Sequence, residues 1–318
     1  METLSLRRYL LVFFLLLLVF PINVFAQKAF HKNGFNLGNL SVPIEEILKG
    51  GPPKDGIPSI DNPQFIEPHE AYYIKDDDRV IGVEINGVAR AYPINIMDYH
   101  EIVNDSFPDS SVCVTYCPLC GSGMVFASVF DGKHHDFGVS GLVYYSDVLL
   151  YDKQTESLWC QLSMKAISGV EKGKELQLIY SEHTTWGDWK RRHSNTVVLS
   201  NETGYKRDYF KHHYEEYEKS EELAFPVKYT NDSYFAKEWV FGIDYNGIQR
   251  AYPASELTEA EDKFADSFGD QELIITYNKK DNFVEVFDYQ GKHVNIQRMF
   301  WFAWFTFHPD TEIFTVNK

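Results

Sequence analysis

Cysteine is scarce in this chain, with four residues in 318. That excludes a disulfide-stapled scaffold. All four (Cys113, Cys117, Cys120 and Cys160) fall in one short stretch, which points to a site instead. Positive charge is also short: Lys and Arg total 30 against 46 Asp and Glu, a formal charge of -16. Nucleic acid and anionic membrane surfaces are excluded as partners on that balance, because both are polyanions. No long apolar run follows Phe20, so no membrane span is expected in the mature chain. There is no phosphate loop, nucleotide fingerprint or Ser/His/Asp arrangement of usable spacing, and therefore no nucleotide cofactor is expected. Long stretches of helical periodicity are few, which weighs against an all-helical fold.

What is present begins with an N-terminal export pattern. Arg7 and Arg8 precede an apolar run from Tyr9 to Phe20, Pro21 breaks it, and Val24-Phe25-Ala26 precedes Gln27. The order predicts a signal over 1–26, cleaved near Ala26, and an extracytoplasmic (periplasmic or secreted) mature protein. No Cys follows the run, so a lipid-anchored end is not expected. Hydrophobic residues make up 44% of the chain and aromatics 16%, enough to build a substantial core.

The chain also repeats itself. Residues 80–93, VIGVEINGVARAYP, match residues 240–253, VFGIDYNGIQRAYP, at eight of fourteen positions. Downstream, DSFPDSSVCVTY from Asp105 matches DSFGDQELIITY from Asp266 at six of twelve. Asn86-Gly87 and Asn246-Gly247 predict type I′ hairpin turns, because both central residues need positive φ. The flanking β-branched and aromatic runs predict strands, and a short helix is expected around Ile94 to His100. The fold class expected is therefore α+β, β-dominated, with two tandem pseudo-repeats of mostly antiparallel sheet. The divisions expected are a signal (1–26), an arm (27–70), a first repeat (71–175), a connecting segment (176–238) and a second, degenerate repeat (239–318). The aromatic stretch from Tyr205 to Phe225 is expected to pack on the core as a belt.

The duplication supplies an internal control. At an offset of about 161, Cys117 faces Asn278, Cys120 faces Asp281 and His100 faces Glu261. Residues needed only for folding are expected in both halves; the thiols and the imidazole survive in one. Two thiols in Cys117-Pro118-Leu119-Cys120-Gly121 can hold one ion from a tight turn. No second CxxC exists, so the remaining ligands must come from elsewhere: His100 first, then Cys160, with His134 and His135 behind. The expected centre is a transition-metal ion, zinc or copper, on Cys117, Cys120 and His100, its fourth place open to water or a small ligand. Glu101 is the candidate proton carrier. Two alternatives stay open: a thiol–disulfide redox pair, and a structural disulfide. No activating helix is expected after Cys120, since Met124-Val125-Phe126 reads as strand. Cys113 reads as a core residue, and Ser146-Asp147 as polar groups able to line a pocket near the thiols.

Several strings together resemble one family: YHEIVND (99–105), VTYCPLCGSG (114–123), FGVSGLVYYSDVLLYDKQTESLW (137–159), TTWGDWK (184–190) and FWFAWFTFHPDTEI (300–313). They are similar to the DUF3179 family of bacterial proteins over about residues 65 to 318. The resemblance implies that His100, Cys117 and Cys120 belong to the family's pattern. It implies no mechanism. At the position of Cys160 that family more often has Ser, which ranks Cys160 below the other three.

Overall fold

The computed structural model describes residues 30–316. The expected signal over 1–26 lies outside them. Among the described residues no helix is long and apolar enough to cross a membrane.

The two Asn-Gly pairs fold as their chemistry requires. Asn86 and Gly87 have φ of 52° and 78°, Asn246 and Gly247 of 53° and 79°, so each closes a two-residue hairpin whose twist suits the flanking strands. The first joins Arg79–Ile85 to Val88–Pro93, with Val80 opposite Pro93 and Ile85 opposite Val88. The second joins Trp239–Tyr245 to Ile248–Pro253, with Val240 opposite Pro253 and Tyr245 opposite Ile248.

Around these hairpins the chain is β-dominated, with small, mostly antiparallel sheets arranged as a five-bladed propeller. Radial repetition of this kind leaves only short sheet edges exposed. The first blade runs Glu182–Thr185, Arg79–Ile85, Val88–Pro93, Val197–Leu199, Phe65–Ile66. The second runs Leu178–Ile179, Ser122–Ala127, Ser110–Cys117, Ile102–Phe107. The third runs Lys165–Ala166, Leu158–Cys160, Asp147–Asp152, Phe137–Tyr144, Ile47–Lys49. The fourth is built on Trp239–Tyr245 and Ile248–Pro253, flanked by Gln297–Phe300 and Glu312–Ile313. The fifth is the meander Lys263–Phe268, Gln271–Asn278, Phe283–Phe287. Parts of the expected arm (27–70) and connector (176–238) thus supply strands to blades one, two and three.

The first and fourth blades share further details. Trp189, on the helix Trp186–Arg192, lies over Gly82, where an added Cβ would come within 2.3 Å of the indole. Trp304, on the helix Trp301–Phe307, lies over Gly242 at 2.1 Å on the same measure. Only hydrogen fits between each strand and its ring, which is why both positions are glycine. Each indole N–H donates to a threonine seven residues on, Trp189 to Thr196 at 2.8 Å and Trp304 to Thr311 at 2.9 Å.

The second and third blades are tied by side chains that imitate backbone pairing. Asn104 donates from Nδ2 to the Phe137 carbonyl at 2.8 Å and accepts at Oδ1 from the Phe137 N–H at 2.9 Å. Gln161 accepts from Ser122 Oγ at 2.6 Å and donates to Thr115 Oγ1 at 2.8 Å. All five residues are buried, so the junction's polar side chains are both enclosed and satisfied, and such junctions fix relative position. Two hairpin ends meet there.

Candidate metal centre

The first of those ends is the Cys-Pro-Leu-Cys turn. Strand Ser110–Cys117 runs out at Cys117, which sits opposite Ser122 on the returning strand. The Cys120 N–H donates to the Cys117 carbonyl at 3.2 Å, closing a four-residue turn. Pro118 fits its second place, because the ring presets φ. Gly121 follows at φ +65°, and a Cβ there would lie 2.7 Å from the Trp239 ring and 2.9 Å from that of Phe300. The Phe300 N–H donates to the Cys120 carbonyl at 2.8 Å, binding the turn to the fourth blade. No helix follows Cys120, as expected, so no helix N-terminus points at either thiol. All four cysteines are free thiols and buried.

The second end is the hairpin that enters Asp147–Asp152. Its turn residues, Tyr145 and Ser146, have φ of 52° and 69°. Neither is glycine, and a left-handed conformation costs such residues about 1 kcal/mol or more each. Ser146 is held there by a hydrogen bond from its Oγ to the Phe225 carbonyl at 2.9 Å, and its own carbonyl accepts from Cys117 Sγ at 3.6 Å. The strain delivers Asp147 beneath the two sulfurs. Cys117 Sγ, Cys120 Sγ and an Asp147 carboxylate oxygen lie within 4.8 Å of one another, all buried. One oxygen of Asp147, Oδ2, accepts from the Leu162 N–H at 3.0 Å and from Cys160 Sγ at 3.2 Å. The other, Oδ1, is buried with no hydrogen-bond partner.

Burial is the largest influence on the acid groups Asp147, Cys120, Cys160 and Glu101. It pushes Asp147 up to about 7, against the pull of the Leu162 amide, the Cys160 thiol and the Val148 and Gln161 amides. It pushes the Cys120 thiol well up, helped by its hydrogen bond with Cys117, and the Cys160 thiol likewise, helped by Asp147. A cavity of about 250 Å³ opens beside Cys117, lined mainly by apolar side chains with Glu101 and Tyr214 among them. Glu101 caps the helix Ile94–His100 at φ 57°. Burial, then Asp98 and Asp147, push its carboxyl up to about 8.

A raised carboxyl pKa has a definite sign. The folded state holds the Glu101 proton longer than the unfolded chain, so its contribution to stability is complete below about pH 4.5 and fades towards pH 8. Metal-free wild type is expected to lose several kcal/mol between pH 5 and pH 8 in urea unfolding, and Glu101→Gln roughly half as much, the remainder coming from Asp147. Equal slopes in the two proteins would contradict the assignment.

The residues singled out by sequence are distributed as follows. Cys117 and Cys120 stand together. His100 is not part of their group; both of its ring nitrogens are engaged elsewhere, Nδ1 with the Pro58 carbonyl at 2.7 Å and Nε2 with the Tyr209 hydroxyl at 2.6 Å. Burial lowers its pKa, so it is a neutral, doubly bonded imidazole linking the arm to the aromatic belt. Asp147 takes the place expected of His100. Cys160 is not in the ligand group either but bonds Asp147 from behind. His134 is exposed beside Asp136 at 2.8 Å, and His135 is buried, stacked on Phe130 at 3.8 Å. Cys113 lies in the core beneath the site. The aromatic belt does more than pack: Tyr214 lines the cavity, and Tyr217 donates to the Leu119 carbonyl at 3.2 Å. A signal for Asp147 existed in the polar Ser146-Asp147 pair, but its partner across the fold had none.

A family model described as a protein of unknown function (DUF3179) matches residues 54–311. No curated protein and no solved structure matches the chain.

Proposed function

Since the chain belongs to the DUF3179 family, whose description assigns no activity, we propose from the site itself that this protein holds one transition-metal ion, zinc or copper, on Cys117, Cys120 and Asp147, with a fourth place turned to the cavity beside Glu101. The observation that carries the reading is Asp147 Oδ1, a buried oxygen without a partner in a group whose other two members are thiols. An acceptor in that position is unfavourable unless something fills it. A cation would do so, and it would also oppose the burial that holds the Cys120 thiol's pKa up. Sulfur ligands suit zinc and copper, and three protein ligands with one open place is the pattern of metal sites that bind or activate a small molecule. The Leu162 amide and the Cys160 thiol act on Asp147 Oδ2 as the outer partners that orient a ligand. Glu101, protonated near neutrality, is placed to donate a hydrogen bond to whatever enters the cavity.

The same reading makes residues 79–199 and 239–313 two copies of one unit, with the third blade inserted in the first copy. Support comes from the matched hairpin registers, the paired glycine–tryptophan contacts and the paired indole–threonine bonds. Residues 1–26 are read as an export signal, which places the thiols in an oxidising compartment where a bound metal would protect them.

A redox reading has one point in its favour, the closeness of the Cys117 and Cys120 sulfurs, within 4.8 Å of each other. One experiment separates the two. Protein purified without an affinity metal is expected to carry about one zinc or copper per chain and four titratable thiols once unfolded with chelator. Asp147→Asn should retain the thiols but bind metal more weakly by at least the roughly 10- to 100-fold that loss of an outer partner alone costs, judged by competition with a chromogenic chelator. Metal-free protein with only two thiols and a reducible Cys117–Cys120 bridge would transfer the site to redox chemistry.

A further inference from the structure

Beside the thiol site, the acid that calls for an explanation is Glu101. Its backbone is held twice: the N–H donates to the Met97 carbonyl at 2.7 Å, and the carbonyl accepts from the Tyr116 N–H at 2.8 Å. The Tyr277 N–H donates in the same way to the Asp262 carbonyl at 2.8 Å, so Asp262 is the counterpart of Glu101 in the other half of the chain. There the acid is open to water, with 77% of its side chain exposed and Lys279 at 3.3 Å. Glu101 is 7% exposed and has no such partner. Burial, Asp98 and Asp147 are the influences on its carboxyl, with no hydrogen bond and no basic group among them. A buried carboxyl left without a partner is unfavourable, and such a group in a cavity marks a place where something binds.

The walls of that cavity decide what it accepts. Side chains such as Ile57, Leu142, Val143 and Val148 make up most of the lining, and the polar ones are Glu101, Cys117 and Tyr214. No Lys, Arg or His lines it, so a carboxylate or phosphate would be buried without a basic partner. An ammonium would exchange water for a single carboxyl in apolar surroundings, a poor trade. A sugar would bury hydroxyls that find no partners, and water alone would find few. The volume, about 250 Å³, lies below the roughly 300–1,000 Å³ of drug-sized ligand pockets, so the occupant is small. A head group that both donates and accepts suits Glu101 in either charge state. An amide N–H donates to a carboxyl oxygen, and the amide carbonyl accepts from a carboxyl O–H.

We propose that this cavity binds a small uncharged aliphatic molecule whose single polar group, an amide or an alcohol, hydrogen-bonds to Glu101 while its chain lies along the apolar walls. The inference rests on the reading of the cavity as the ligand side of the thiol site, but its contacts do not need the ion.

The test titrates full-length protein, as purified and after chelator treatment, with the straight-chain primary amides from butanamide to octanamide, followed by ligand-detected NMR. Affinity should rise roughly three- to fourfold per methylene, then fall once the chain outgrows the cavity. Alkanoates and alkylammonium ions of the same lengths should bind at least about tenfold more weakly. Glu101→Met should weaken the amides about tenfold and leave the gain per methylene unchanged. If that variant does not fold, Ala224→Trp decides: it fills the cavity from an exposed position on the belt and should abolish saturable binding. No saturable binding by folded wild type, no dependence on chain length, tighter binding of the alkanoates or alkylammonium ions, or wild-type affinity in Ala224→Trp would each overturn the inference. Metal analysis of the same samples judges the ion separately. Amide binding without metal leaves the inference standing, and metal without amide binding removes the inference alone.

Discussion

Cys117→Ser is expected to abolish stoichiometric metal binding and to lower the melting temperature by roughly 8–15 °C in the presence of zinc. The size follows from mass action. An ion present at about a thousand times its dissociation constant adds about 4 kcal/mol to the folded state, and each kcal/mol corresponds to about 2–4 °C in a large domain. Serine is close in shape, and its hydroxyl can still donate to the Ser146 carbonyl as the thiol does at 3.6 Å, so the variant should fold. Two controls make the result specific. Cys113→Ser places a hydroxyl in the core beneath the site and should cost about 1–3 kcal/mol with metal content unchanged. Cys160→Ser retains a donor to Asp147 Oδ2 and should bind metal within a few-fold of wild type. A Cys117→Ser protein that still carries one ion per chain would end the metal reading.

The second large effect concerns the fold. Arg90 donates from Nη1 to both oxygens of Asp105 at 2.6 Å, and Tyr92 donates to the same carboxylate at 2.5 Å. The Asp105 side chain is 4% exposed and that of Arg90 18%. The guanidinium also lies against Phe65 and Phe107, at 4.6 and 4.4 Å. Arg90→Ala removes the charge partner and leaves a buried carboxylate with only the Tyr92 hydroxyl and the Ser106 N–H as donors. Such losses cost about 3–5 kcal/mol. In the corresponding pair of the fourth blade, Arg250 and Asp266 at 2.7 Å, it is the carboxylate that is more open, with 20% of its side chain exposed. Water can take over there, so Arg250→Ala should cost about 1 kcal/mol. Guanidinium unfolding of both variants checks the contrast, and adding Asp105→Asn to Arg90→Ala should recover more than half of the loss. Equal costs would show that burial does not set the difference.

Much of the local structure was legible from residues alone. Asn-Gly pairs announced hairpins because few other residues accept two positive φ angles in succession. The helix Ile94–His100, the strands around it and the strand-turn-strand form of the CPLC segment followed from pattern and turn chemistry. The Tyr145-Ser146 turn was not legible, since neither residue favours the conformation it adopts. That one silent turn concealed Asp147. His100 was misplaced for a related reason. Its absence from the back half is equally consistent with a ligand and with a buried imidazole bridging Pro58 and Tyr209, and only the tertiary partners tell these apart. The five-bladed arrangement escaped too, because which strand joins which sheet is settled by edges far apart in the chain, such as Ile47–Lys49 against Phe137–Tyr144.

The turn carrying the two sulfurs and the turn carrying the carboxylate belong to different blades, and all three residues are buried. If the proposed site holds an ion, its ligands come together only once those blades have docked, so the interblade seam of Asn104 and Gln161 would form before the ion is gripped, and would part, or admit the ion through the Glu101 cavity, before it leaves. Exchange with free metal should accordingly be slow and follow the rate at which the seam breathes, whatever the intrinsic strength of the metal–sulfur bonds.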